Sequence, residues 1–166
     1  MSKKQDRIHE MSDRISMNYK LVPQKLEEVY GFDRISIEDI DALSISMFEA
    51  FQDTADYEGE SVKDLRKELC EVMEGTFGTF LPEASFQIKQ NGEIAAVILV
   101  NLYQDKPLVS ELFTAKKYLH LGMASCLLKK TIHVLAGLEY ENLVLNVHPK
   151  NVGAIHLYRK IGFTEL

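Results

Sequence analysis

A chain of 166 residues, 46% hydrophobic and 27% charged, has the size and balance of one domain with a sizeable core. No apolar run approaches the roughly 20 residues of a membrane span, and MSKKQDRIHEM lacks the apolar stretch of a secretory signal, so a cytoplasmic protein away from membranes is expected. A net charge of −6 argues against nucleic acid as a partner, and Cys70 and Cys126, without a CxxC neighbour, read as free thiols.

Residues 1–30 read as an N-terminal arm or an extra helix, with Ile8, Met11 and Ile15 at helical spacing. The main domain is then 31–166. Phe32–Ser36 is a short strand candidate, and Ile37–Gln52 a helix. TADYEGE is a polar turn. Ser61, with Asp64 three residues on, marks the N-cap of a second helix running to about Gly75. GTFGTFLPEA reads as a loop. Ser85–Gln90 and Glu93–Tyr103 flank Asn91-Gly92, a strong two-residue hairpin signal, and AAVILV suggests a strand covered on both faces. After a turn at Gln104–Pro107, Leu108–Thr114 completes an antiparallel meander.

The stretch from Leu108 to Gly137 reads as strand, tight loop (115–121) and helix opening at Gly122. Ala124, Leu127, Leu128, Thr131 and Leu135 share one face of that helix. A glycine at a helix start permits close approach to the backbone, and a helix N-terminus suits a phosphate or pyrophosphate. Gly137 is the expected stop. Asn142–Val147 follows as a strand, parallel to Leu108–Thr114 because a helix lies in the connection. Asn151 then caps a last helix, Val152–Ile161, ended by Gly162. Asn151 and Tyr158 share a face of it, about 10 Å apart along the axis. The expected fold is therefore α/β, a mixed and mostly antiparallel central sheet with helices on both faces. Residues 108–166 hold seven Lys and Arg against four acids, a net +3, so the first 107 carry −9 of the total −6. An anionic ligand would favour the second part and a cationic one the first. No His, Cys or acid cluster has metal-ligand spacing, so no metal is implied.

The second part resembles the GNAT (Gcn5-related N-acetyltransferase) superfamily. The likeness rests on LFTAKKYLHLGMASCLL, the strand LVLNV, and HPKNVGAIHLYRKIGF, where Asn151, Ala154, Leu157-Tyr158 and Gly162-Phe163 keep the spacing of the family's last motif. It covers roughly residues 84–166. The phosphate loop departs from the family pattern: Gly122 and Ala124 match, but Leu119 stands where Arg or Gln is usual and His120 where a second Gly is common. Backbone N–H groups do most of such a loop's work, and any residue but proline supplies them. His120, Lys116 or Lys117 are the candidates to restore positive charge.

The resemblance implies a splayed parallel strand pair and transfer of an acetyl group from acetyl-CoA to a primary amine, on a small molecule or a peptide, by direct attack in a ternary complex. It places the cofactor against the backbone of Leu112, Phe113 and Thr114, against Leu119, His120, Leu121, Gly122, Met123 and Ala124, and beside Asn151. Tyr158 is implied as the acid for the departing thiolate. Glu111, an acid among apolar strand residues, is implied as the base, with Glu58 and Asp56 as alternatives. Phe51, Tyr57, Glu58 and Tyr103 are the candidate acceptor-pocket residues. A CoA-binding sensor without turnover, and a purely structural α/β domain, are the rival readings. The family normally has one more strand after Gly-Phe. Its lack would leave an open edge inviting a second copy, so a homodimer is expected.

Overall fold

A computed structural model describes residues 13–166 of the chain. Its first element is a strand, β1 (Ile15–Lys20), with Met17 buried and Ile15 and Tyr19 packed on the same core. This corrects the arm or extra helix expected here. Ile8 and Met11 lie outside the described residues, and from Ile15 onward apolar residues recur every second position, which puts one face of a strand on the core.

The short strand β2 (Asp33–Arg34) leads through a 3-10 turn, capped by the Ser36 hydroxyl, into α1 (Ile40–Phe51). In α2 (Val62–Glu74) the Ser61 side chain accepts from the Asp64 N–H, and Asp64 accepts from the Ser61 N–H, a reciprocal capping box. The expected loop at 75–84 contains a two-residue strand, β3 (Thr79–Phe80), too short to leave a pattern. Then β4 (Phe86–Gln90), β5 (Glu93–Tyr103) and β6 (Lys106–Thr114) form the expected meander. Asn91 and Gly92 join the first two with φ of 52° and 75°, both in the left-handed region a type I′ turn requires.

Beyond β6 come α3 (Met123–Gly137), β7 (Asn142–Val147), α4 (Val152–Ile161) and β8 (Thr164–Glu165). Gly137 is not the turning residue of α3. Glu139, at φ 66°, turns the chain. Its N–H bonds to the Ala136 carbonyl and the Tyr140 N–H to that of Leu135, the paired bonds of a Schellman end.

The sheet order is β2-β4-β5-β6-β7-β1-β8, with β3 beside β5. All neighbours are antiparallel except β6 and β7, which are parallel. The apolar run Ala95–Val100 is fully buried, so β5 is covered on both faces as its sequence suggests. On one face, Leu127, Leu128, Ile132 and Leu135 of α3 pack with Ile98, Val100, Leu145, Tyr158 and Phe163. On the other, Leu43 and Met47 of α1 and Leu65, Leu69 and Val72 of α2 pack with Val97, Leu99 and Phe113.

Two features of this sheet shape the site. First, β1 lies between β7 and β8 and pairs with β7 along its whole length, Ile15 opposite Val147 and Lys20 opposite Asn142. The second edge of β7 is filled by β1, and β8 pairs with β1 only at Met17 and Asn18, so the open edge expected near the Gly-Phe end lies one strand further out, on β1. Second, β6 and β7 are bridged at Leu108–Val144, near the start of β6. No further register joins them. Toward Thr114 and Val147 the pair is unladdered, and α1, α3 and α4 converge there.

Candidate active site

A cleft of about 330 Å³ opens at that unladdered end. Leu112, Phe113 and Thr114 of β6 form one wall, and Asn151, Ala154, Leu157 and Tyr158 of α4 form the other. The end of α1 and its following turn, from Ala50 and Phe51 to Asp56, border one side, and Leu119 and Ala124 the opposite side. Phe51 is fixed edge-on to Phe113, with ring centroids 6.0 Å apart.

Gly122 heads α3 at φ 78° with no side-chain cap, and no atom lies within 4 Å of where a Cβ would stand. The first internal bond of the helix runs from the Cys126 N–H to the Gly122 carbonyl, 3.0 Å. The N–H groups of the first turn therefore face outward without an internal partner, at the positive end of a 15-residue helix. His120 adopts φ 63°, a left-handed conformation that explains why glycine suits this position. The rest of the loop is tethered. The Tyr30 hydroxyl donates to the Leu121 carbonyl at 2.7 Å, Lys117 and Tyr118 engage Glu93, and Lys116 pairs with Asp53 at 3.4 Å. The Lys117 ammonium, then the Tyr118 hydroxyl, hold the Glu93 carboxyl below its ordinary range. Both lysines proposed to supply charge to the loop are thus already paired with acids, while His120 is exposed at the rim. Met123 contributes its backbone only, because its side chain is buried in the α3 core.

Asn151 and Tyr158 are brought together as their spacing implies. Asn151 Oδ1 caps α4 by accepting from the Ala154 N–H at 3.2 Å, and its Nδ2 donates to Asp56 Oδ2 at 3.3 Å. Tyr158 is 9% exposed, packed on Phe163 at a ring separation of 5.9 Å. Burial, followed by the nearby Asp56 charge, pushes its hydroxyl up to about 12, with Arg14 opposing. The phenol keeps its proton throughout the neutral range.

Several candidates fall elsewhere. Glu111 faces Leu99 across the β5–β6 pair, on the same face of β6 as Phe113 but two residues further from the open end; it is half-buried and does not line the cleft. Tyr103 pairs with Lys106 at the far end of β5, about 23 Å along the strand from the Ala96–Thr114 end. Tyr57 stacks edge-on to Phe48 with centroids 6.3 Å apart, and Glu58 is exposed with its N–H on Glu60. Neither lines the cleft. Ala50, Thr54, Ala55, Lys150, Ala154 and Leu157 line it without having been singled out as binding residues. Ala154 was legible, since it shares a helix face with Asn151 and Tyr158. Arg14, which pairs with Asp56 across 42 residues, left no local signal. Among the described residues no group of three or more His, Cys, Asp and Glu could hold a metal ion, and no helix is long and apolar enough to cross a membrane.

Comparison with known proteins bears on this cleft. The acetyltransferase (GNAT) family matches residues 41–163. The [ribosomal protein bS18]-alanine N-acetyltransferase of Escherichia coli K12 is 31% identical over 81 residues, which are 49% of this chain and 55% of that protein. The chain thus spans about half the length of the curated relatives it matches. Among solved structures, a GCN5-related N-acetyltransferase from Sphaerobacter thermophilus superposes with a TM-score of 0.71 at 16% identity, over 99% of this chain and 54% of that one. The E. coli ribosomal-protein-S18-alanine N-acetyltransferase gives 0.67 at 22%, over 83% and 79%. A PaiA N-acetyltransferase from Thermoplasma acidophilum, solved in complex with coenzyme A, gives 0.65 at 19%, over 82% and 91%. At these identities the structural likeness speaks for the fold.

Proposed function

The chain belongs to the acetyltransferase (GNAT) family, and on that premise we propose that it moves an acetyl group from acetyl-CoA to a primary amine by direct attack in a ternary complex. The observation that carries the reading is the meeting, in one cleft, of Leu119 and Ala124, which flank the uncapped helix start at Gly122, with the unladdered edge of β6 and the buried Tyr158.

The residues present fit the cosubstrate. The outward N–H groups of the first turn of α3 and the open space at Gly122 suit a pyrophosphate, which needs donors and positive potential rather than a particular side chain. Beyond the bridge to β7, the backbone of Leu112–Thr114 bonds to β5 on one side and offers its other edge to an extended amide-bearing arm. Acetyl-CoA supplies an activated acyl group. The chain's part is to hold it beside the amine, exclude water and manage protons.

Tyr158 Oη is the proton-bearing group nearest to that task. Against an ordinary thiol near 8.5, a phenol at about 12 favours hydrogen-bond donation to a departing sulfur. Full transfer becomes easier as the neighbouring Asp56 charge is compensated. Phe51 joins the pocket from the α1 side, and Asp56, not Glu111, is the carboxylate in the cleft wall. We therefore place the acceptor amine on the Asp56 side of the cleft, with its proton passing to water. A peptide α-amine is the first acceptor to assay, because the curated relatives are named for an alanine of a ribosomal protein.

The test has two parts. CoA at 100 times its dissociation constant should stabilise the protein by about 2.7 kcal/mol in thermal unfolding. Acetyl-CoA with a panel of peptides and small amines should release free thiol. Stabilisation without thiol release would leave a CoA-binding sensor; absence of both would remove the nucleotide site.

A further inference from the structure

Fifteen residues line the cleft, and only two of them, Asp56 and Lys150, carry charge. The rest of the wall is mainly apolar, including Phe51, Leu112, Phe113 and Leu157. A carboxylate in such a wall is costly unless cations and donors surround it. The Asp56 side chain is 22% exposed. Its Oδ1 accepts from Arg14 Nη1 at 3.2 Å, and its Oδ2 accepts from Asn151 Nδ2 at 3.3 Å. These bonds are at the long end of the N–H···O range, and a carboxylate offers about four lone-pair positions. Arg14 and Asn151, the latter itself in the cleft wall, thus orient Asp56 and leave its carboxylate lone-pair capacity for a further donor. Asp56 also sits close enough to Tyr158 for its charge to act on the phenol. The charged groups around it are Arg14, just before β1, and Lys150, exposed in the turn before α4. Asp53, on the same turn as Asp56, is already paired with Lys116.

We propose that Asp56 is the specificity-determining residue for the acceptor, binding the ammonium of a substrate that carries a second positive charge besides the amine to be acetylated. The proposal rests on the acetyl-transfer reading for its meaning, but the charge preference is measurable without turnover. The acceptor presents one neutral amine toward the thioester while its other ammonium stays on Asp56. Arg14 and Asn151 are positioning residues that keep the carboxylate turned to the cleft.

A matched pair of probes tests this. Binding of 1,4-diaminobutane and of 4-aminobutan-1-ol is measured by calorimetry on the full chain at about pH 8 and low salt. The wild type should prefer the diamine by about fivefold to tenfold. D56N should bring the preference within about twofold, and D56E should restore part of it. On the wild type alone, raising salt from about 20 mM to about 0.5 M should shrink the preference, so the test survives a variant that fails to fold. Equal binding of the two probes to the wild type would overturn the proposal. So would a D56N variant that loses both alike, which would make Asp56 only a tie for its turn. Stabilisation by CoA, measured on the same samples, stays separate: its absence would sink the transferase reading and not the charge preference.

Discussion

Two of the helices that meet the cleft, α3 and α4, begin in opposite ways. At α3 the first residue is a left-handed glycine with no cap and open space around it. At α4 it is Asn151, whose side chain closes the helix end and reaches Asp56 with its other arm. One terminus has no cap on its backbone donors; the other has the Ala154 N–H satisfied by a side chain whose second arm reaches Asp56. Recognition through backbone is indifferent to side-chain identity, so on the proposed reading α3 would tolerate Leu119 and His120. Recognition through side chains is not, and the Asn151–Tyr158 spacing is kept.

The largest expected effect is on the side-chain terminus. Tyr158→Phe should lower kcat by about a hundredfold or more, with CoA affinity within about twofold, in steady-state and binding assays. A fall in affinity with unchanged kcat would move Tyr158 from chemistry to binding. The same residue gives a pH signature. Below about pH 10 the phenol is neutral in the folded and unfolded chain alike. Between about 10 and 12 the unfolded chain releases the proton and the folded one keeps it. Stability should therefore fall across that window, by about 2–3 kcal/mol more in the wild type than in Tyr158→Phe, in denaturant titrations at stepped pH.

Next comes the backbone terminus. Gly122→Asp places a carboxylate where the anion should sit, and CoA affinity should drop by tenfold or more in calorimetry, with the fold retained by circular dichroism. Affinity unchanged by this substitution would mean that the α3 start does not face the cosubstrate. The smallest effect is at the cap. Asn151→Ala should cost about 1 kcal/mol of stability, read from the unfolding midpoint. It should also weaken the diamine preference, because Asp56 loses one of the groups that orient it.

Much of this was legible from sequence, and for physical reasons. The Ser61 and Asp64 pair, the Asn91-Gly92 turn and the unbroken apolar run of β5 are local signals that no tertiary contact overrides. The stretch expected to hold the cofactor was named from the family resemblance, and Leu112, Phe113, Thr114, Leu119 and Ala124 of it line the cleft. What failed was mostly non-local. β1 was hidden because three apolar residues at helical spacing masked the two-residue period of Ile15, Met17 and Tyr19. Glu111 shares its face of β6 with Phe113, which lines the cleft, so alternation along the strand does not by itself separate the two; Glu111 lies two residues further from the open end. Tyr103 shows that an aromatic residue carries no address. Asp56 was only one alternative among the acids until Arg14 and Asn151 converged on it.

The seating of β1 has a consequence for how the protein is assembled. Ser16 bonds to Asn146, 130 residues away, and Asn18 to Asn142, 124 away. Pairings of such long sequence separation carry a high loop-closure cost and form late. During synthesis residues 15–20 must wait for residues 142–147 to emerge before β7 gains its second neighbour. The meander and its helices can collapse before then, but the tie from Arg14 through Asp56 to Asn151 at the lip of the cleft forms only once β1 has met β7.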